Sequence, residues 1–151
     1  QQSGEIDWKR YPFPKNTAAP SGPGVNLSES RLMLVSSSGA YLPGVHEPFD
    51  AANLRGDYSV RLIPTSTPLE ELAYAHEHYD QSAVCEDPQV LLPLRMLQSL
   101  VDEGQIGELA SKTVSFMGYQ PNAARVASET TSLVIDAARA QEVDAALLVP
   151  A

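Results

Sequence analysis

The feature that most constrains this chain is its last third, where strand, helix and strand follow one another across short joints. Residues 113–119 alternate, with Val114 and Phe116 to one side, and read as a strand. Residues 121–140 read as the longest helix, and Ala123, Val126, Thr130, Leu133, Val134 and Ala137 line the face it should bury. Residues 145–149 (AALLV) form an uninterrupted apolar run, of the kind found in strands covered on both faces. Together they form a βαβ unit, whose crossover should be right-handed. The expected fold class is therefore α/β, a three-layer sandwich with a mostly parallel sheet.

The preceding residues supply the other elements. RLMLV at 31–35 reads as a first buried strand, and residues 58–63 alternate well enough for a second. Leu94, Leu97, Leu100 and Val101 form a helical stripe that starts at Pro93 and stops at Gly104. Thr67, Pro68 and Glu70 have the spacing of a capping box, which predicts a helix from 68 to about 79, with Leu69, Leu72, Ala73 and His76 on one stripe. Residues 1–26 hold Pro12, Pro14, Pro20 and Pro23, so neither helix nor inner strand suits them. Trp8, Tyr11 and Phe13 lead us to expect an arm that buries its rings along a domain of residues 27–151.

At 151 residues the chain suits one domain, able to bury roughly two thirds of its unfolded surface. Ten Lys and Arg against nineteen Asp and Glu give a net charge of −9, which argues against nucleic acid or an anionic membrane as partner. No apolar run approaches the ~20 residues of a membrane helix, and the start does not read as a signal peptide. The single cysteine can form neither an internal disulfide nor a Cys-based zinc site, so a reducing cytoplasm is expected. The chain does not begin with Met, so residues are expected to be missing at that end.

Polar chemistry concentrates at two places. Ser36, Ser37, Ser38 and Gly39 follow the first strand, where small hydroxyl residues and Gly let backbone N–H groups approach an anion; a turn without a ligand fits equally well. His76, His78, Tyr79 and Asp80 can donate, accept or carry protons. On a helix His76 and His78 point about 200° apart and cannot grip one metal ion, so no metal is expected there. His46 and Asp50 lie in a long loop over residues 40–57, and His46 alone reads as a surface histidine. Cys85 reads as lying in a polar loop beside Glu86 and Asp87, carboxylates that disfavour a thiolate, and as incidental.

In this order several stretches resemble one known family. They are LSESR before the strand LMLV, the serine turn, Pro48-Phe49-Asp50, and His76-x-His78-Tyr79-Asp80. Asp87 with Pro93 and Arg95, Glu103-Gly104-x-Ile106-Gly107, Ser115-Phe116-Met117-Gly118-Tyr119 and Val143-Asp144-Ala145 follow. From about residue 27 to 150 the chain resembles the selenoprotein B family of the glycine, sarcosine, betaine and D-proline reductases, including its selenium-free relatives. The resemblance implies reductive cleavage of a C–N bond in an amine or amino acid. A selenol or thiol is the nucleophile and dithiols supply the electrons. It implies catalytic roles around His76, His78, Tyr79 and Asp80, with substrate contacts from Ser36 to Gly39 and from Met117, Gly118 and Tyr119. It also implies that the redox Cys or selenocysteine lies beyond Ala151, so no cofactor is expected within this chain and the domain is expected to be incomplete at its C-terminus.

Three readings follow. The first is an oxidoreductase domain of amino-acid metabolism, with the serine turn holding a substrate carboxylate and His76 or His78 as general acid toward the leaving amine. Its partners would be a small amine or amino acid and the other subunits of a reductase complex, in a homo- or hetero-oligomer. The second is a non-catalytic domain that binds a small anion or a subunit. The third is a metal-dependent hydrolase using His46, His76, His78 and Asp80, which requires an extended segment at 76–80.

Overall fold

The computed structural model describes Gly22, residues 24–75 and residues 82–151. The expected aromatic arm and the run from His76 to Asp80 thus lie outside the described residues.

The strands are β1 (Arg31–Ser36), β2 (Ala40–Tyr41), β3 (Val60–Pro64), β4 (Ala73–Tyr74), β5 (Glu108–Leu109), β6 (Lys112–Phe116) and β7 (Ala145–Val149). The helices are α1 (Ser82–Glu86), α2 (Leu94–Asp102), α3 (Ala123–Arg125) and α4 (Thr131–Ala140), with a π turn, Val126–Thr130, joining the last two. β1 is central: β5 and then β6 run parallel along one side of it, and β7 runs parallel along the other. β3 closes the β6 side antiparallel. β5 and β6 meet β1 in offset registers, Leu32 opposite Leu109 but Val35 opposite Val114. Two extra residues on their side separate the two ladders, as in a bulge.

Successive side chains of β1 divide the two cores. Leu32 and Leu34 face the layer of α2, packing with Ile63, Leu92, Leu94 and Leu97. Met33 and Val35 face the layer of α4, packing with Ala110, Val114 and Ala137. The mostly parallel three-layer α/β arrangement is the expected one. α2 forms where Pro93 and the leucine stripe place it, and Gly104, at φ 71°, ends it in the left-handed region.

Over residues 68–75, the described part of the helix expected over 68–79, no helix forms. A single 3-10 turn, Leu69–Glu71, has Pro68 at its cap with no side-chain capping bond, and Ala73 and Tyr74 then form β4. β4 pairs antiparallel with β2, so a long-range ladder displaces the locally signalled helix. Cys85 lies in α1 rather than in a loop. The face expected for residues 121–140 is buried only in part: Thr130 and Ala137 are inside, whereas Leu133 is 43% exposed and Ala123 is exposed. β7, read as covered on both faces, pairs only with β1 among the described residues, and Leu148 is 70% exposed.

Candidate functional site

The carboxyl ends of β1, β6 and β7 meet at the serine turn, and backbone bonds tie each segment to it. Ser37 N–H donates to the Val149 carbonyl at 3.1 Å, and Gly39 N–H to the Phe116 carbonyl at 2.9 Å. Ser38 bridges to Met117. Ala75 N–H, one residue before His76, donates to the Gly39 carbonyl at 3.0 Å. The Ser37 hydroxyl accepts from Ala151 N–H at 2.8 Å. The turn therefore touches the end of β6, the end of β7 and the strand leading to His76, at the sheet end where parallel α/β folds place ligands.

The hydroxyls divide by burial. Ser36, Ser38 and Ser115 are each 0% exposed. Ser36 Oγ accepts from Ser38 N–H, and Ser38 Oγ accepts from Ala40 N–H and lies 3.4 Å from Ser115 Oγ. These bonds hold the turn closed. Ser37 is half-buried and reaches the surface. Met117 is 1% exposed, whereas Gly118 is exposed and Tyr119, 40% exposed, donates its hydroxyl to the Leu54 carbonyl at 3.4 Å. Of the residues expected to contact substrate, Ser37, Gly118 and Tyr119 are thus accessible.

The loop over residues 40–57 is anchored by two aromatic–guanidinium stacks. Arg61 lies over the Phe49 ring at 4.1 Å and donates to the carbonyls of Glu47 and Pro48. Arg125 lies over the Tyr58 ring at 3.9 Å and forms a bidentate pair with Glu129. Burial pushes the Asp57 carboxyl up, but hydrogen bonds from the Ser59 hydroxyl and from the backbone N–H groups of Asp50 and Ser59, with the charge of Arg61, hold it below its usual range. Burial and the nearby Arg61 charge lower the His46 pKa, against a backbone hydrogen bond at Leu62 that raises it. His46 Nδ1 accepts from Leu42 N–H at 3.2 Å, so this histidine braces its own turn. A cleft of about 640 Å³ opens between residues 50–59 and the helix over 125–133, lined by Asp50, Asp57, Tyr58, Arg125, Glu129 and Leu133 among others.

The sequence assigns Ser115 and Arg61 no site role: Ser115 lies near Ser38, 77 residues away, and Arg61 reaches the Glu47 carbonyl 14 residues before it. Asp57 was legible: Asp-x-Ser is the pattern of an Asx turn, and its carboxylate accepts from Ser59 N–H at 2.9 Å. Among the described residues no group of three His, Cys, Asp or Glu side chains is placed to hold a metal ion.

Residues 5–151 match the family model for glycine/sarcosine/betaine reductase selenoprotein B. D-proline reductase subunit gamma of Acetoanaerobium sticklandii is 32% identical over 123 residues, 81% of this chain and 49% of that protein. Sarcosine reductase complex component B subunit beta of Peptoclostridium acidaminophilum is 30% identical over 121 residues, 77% of this chain and 27% of that protein. Glycine reductase complex component B subunit gamma of Carboxydothermus hydrogenoformans is 26% identical over 148 residues, 96% of this chain and 34% of that protein. The chain thus spans about half the length of the first of these relatives, and less of the others. No solved structure gives a significant match.

Proposed function

Because this chain belongs to the glycine/sarcosine/betaine reductase selenoprotein B family, we propose that it is a reductase domain whose sheet end receives a small amine or amino acid. Its reaction is reductive cleavage of a C–N bond, within a complex of reductase subunits in the cytoplasm. The observation that carries this reading is the convergence on one serine turn of the ends of β6 and β7 and of the strand that leads to His76.

In this reading the Ser37 hydroxyl and the exposed backbone at Gly118 hold the substrate's carboxylate. His76 or His78 donates the proton that the departing amine takes up, with Tyr79 and Asp80 orienting the imidazole. A selenol or thiol from beyond Ala151 supplies the nucleophile, and dithiols supply its electrons. The bond from Ala151 N–H to Ser37 supports that reading, since it ties the chain after β7 to the turn. Cys85 is not the nucleophile.

A second reading, a non-catalytic domain for a small anion or a subunit, draws support from the closed hydroxyl cluster of Ser36, Ser38 and Ser115, which needs no reacting group. Assays with dithiothreitol and candidate amines separate the two. This chain, its Cys85→Ser variant and a form extended past Ala151 are compared. Turnover only in the extended form supports the reductase. Turnover by the short chain that disappears in Cys85→Ser refutes the placement of the nucleophile. Anion binding without turnover in any form favours the second reading.

A further inference from the structure

We propose that His46 is a proton-operated latch: its neutral ring closes the turn over residues 42–46, and a second ring proton opens that turn. The latch stands on hydrogen-bond geometry and does not depend on the proposed chemistry.

The turn has one closure that titrates. Val45 N–H and His46 N–H both donate to the Leu42 carbonyl, at 3.2 and 2.9 Å, and Leu42 N–H donates back to His46 Nδ1 at 3.2 Å. The two backbone bonds are indifferent to pH, whereas the third needs a lone pair on Nδ1. The proton of the neutral ring then sits on Nε2, and the hydrogen bond between the ring and the Leu62 backbone on β3 suits a donor there. One neutral tautomer thus serves both neighbours. An imidazolium carries N–H groups on both nitrogens, so Nδ1 would turn a donor against Leu42 N–H and leave that amide without its acceptor.

The surroundings oppose the second proton. Among the described residues, Arg61, which precedes Leu62 on β3, is the charge that acts on the half-buried ring. Glu47, the next residue in the chain, offers Arg61 its carbonyl, and the Asp57 carboxylate accepts from Asp50 and Ser59.

The remainder of the loop keeps its charge state in mild acid, so opening stays local. Arg61 stays protonated, holds the Glu47 and Pro48 carbonyls and stacks on the buried Phe49 ring. Asp57, held below its usual range, stays ionised. Leu42 directly follows β2, whose first residue, Ala40, donates its N–H to Ser38 Oγ. Acid therefore loosens the chain where it leaves the serine turn, while the loop from Glu47 onward stays clipped to β3.

Nuclear magnetic resonance on the full chain tests this. At pH 8 the ring nitrogen shifts should show Nε2 protonated and Nδ1 unprotonated. Below the ordinary value of 6.5, exchange protection of the Leu42 amide, corrected for intrinsic rate, should fall by up to about tenfold per pH unit, because opening takes up one proton. The Ala110 amide, which donates to the Leu32 carbonyl in the sheet, should keep its protection. His46→Gln should abolish the pH dependence at Leu42, and His76→Gln combined with His78→Gln should leave it in place. A ring protonated on Nδ1 at pH 8 overturns the proposal. So does protection at Leu42 that is flat with pH, that falls equally at Ala110, or that still falls in His46→Gln. A response lost in the double variant also overturns it, by moving the titrating group out of the turn. Should His46→Gln fail to fold, the wild-type ring shifts and the comparison of Leu42 with Ala110 decide.

Discussion

Gly107→Ala is expected to destabilise the chain by about 2 kcal/mol, for a steric reason readable in the structure. A Cβ on Gly107 would lie 2.9 Å from both the backbone N and O of Ser30 and 3.0 Å from the Glu29 carbonyl carbon. Relief to an ordinary contact of 3.4 Å requires a shift of roughly half an ångström. The obstructing atoms are backbone, and they are held. Gly107 N–H and Ser30 N–H both donate to the Leu27 carbonyl, at 2.8 and 3.2 Å, and Glu108 N–H donates to the Ser30 carbonyl at 3.2 Å. Ser30 also precedes β1, so moving it disturbs the central strand. Overpacking of this kind costs roughly 1–3 kcal/mol, while the entropy that alanine removes from the unfolded chain returns about 0.5 kcal/mol. Urea titration followed by circular dichroism measures the difference. Gly104→Ala serves as the contrast, because its Cβ would meet nothing within 4 Å and its φ of 71° alone sets a cost of about 1 kcal/mol. Asparagine should recover part of the loss at 104 and deepen it at 107. A loss below about 0.5 kcal/mol at 107, with an unchanged denaturant slope, would show the contact to be softer than argued.

The His46 pKa is lowered on folding, so the unfolded chain binds its proton first, and stability should fall as pH drops below the ordinary value of 6.5. Denaturant midpoints at several pH values between 7.5 and 5 check this, and His46→Gln should flatten that part of the curve. Asp57, held low, should contribute stability above its ordinary value of 3.8 and lose it in more acid solution, a separate and lower window. Thr130→Val should cost about 1–3 kcal/mol, since the buried hydroxyl donates to the Tyr58 carbonyl and accepts from Gln120; thermal unfolding reads this directly. Thr67→Ala should change stability by less than about 0.5 kcal/mol, because Thr67 caps nothing, whereas a loss near 1 kcal/mol would restore the capping box.

By itself the sequence determined those elements whose signals are local. Pro93, the leucine stripe and Gly104 define α2 because proline, helical spacing and a left-handed glycine act within one segment. RLMLV, the alternation over 58–63 that becomes the strand Val60–Pro64, and the final AALLV run were legible, and the strand–helix–strand order of the last third sufficed for an α/β class with a mostly parallel sheet. Tertiary structure decided what each element faces. Thr67 and Glu70 signal a helix, yet Ala73 and Tyr74 complete a ladder with Tyr41 and Ala40, because pairing across the chain outweighs a cap of modest strength. AALLV reads as doubly covered, yet burial depends on which neighbours arrive, and β1 alone pairs with it among the described residues. Three serines that suggest an open anion site divide in the same way. Ser36 and Ser38 turn inward to bond near Ser115, a partner 77 residues from Ser38, while Ser37 alone reaches the surface. Residue type declares that a hydroxyl can bond, but only the packed chain settles whether its partner is protein or ligand.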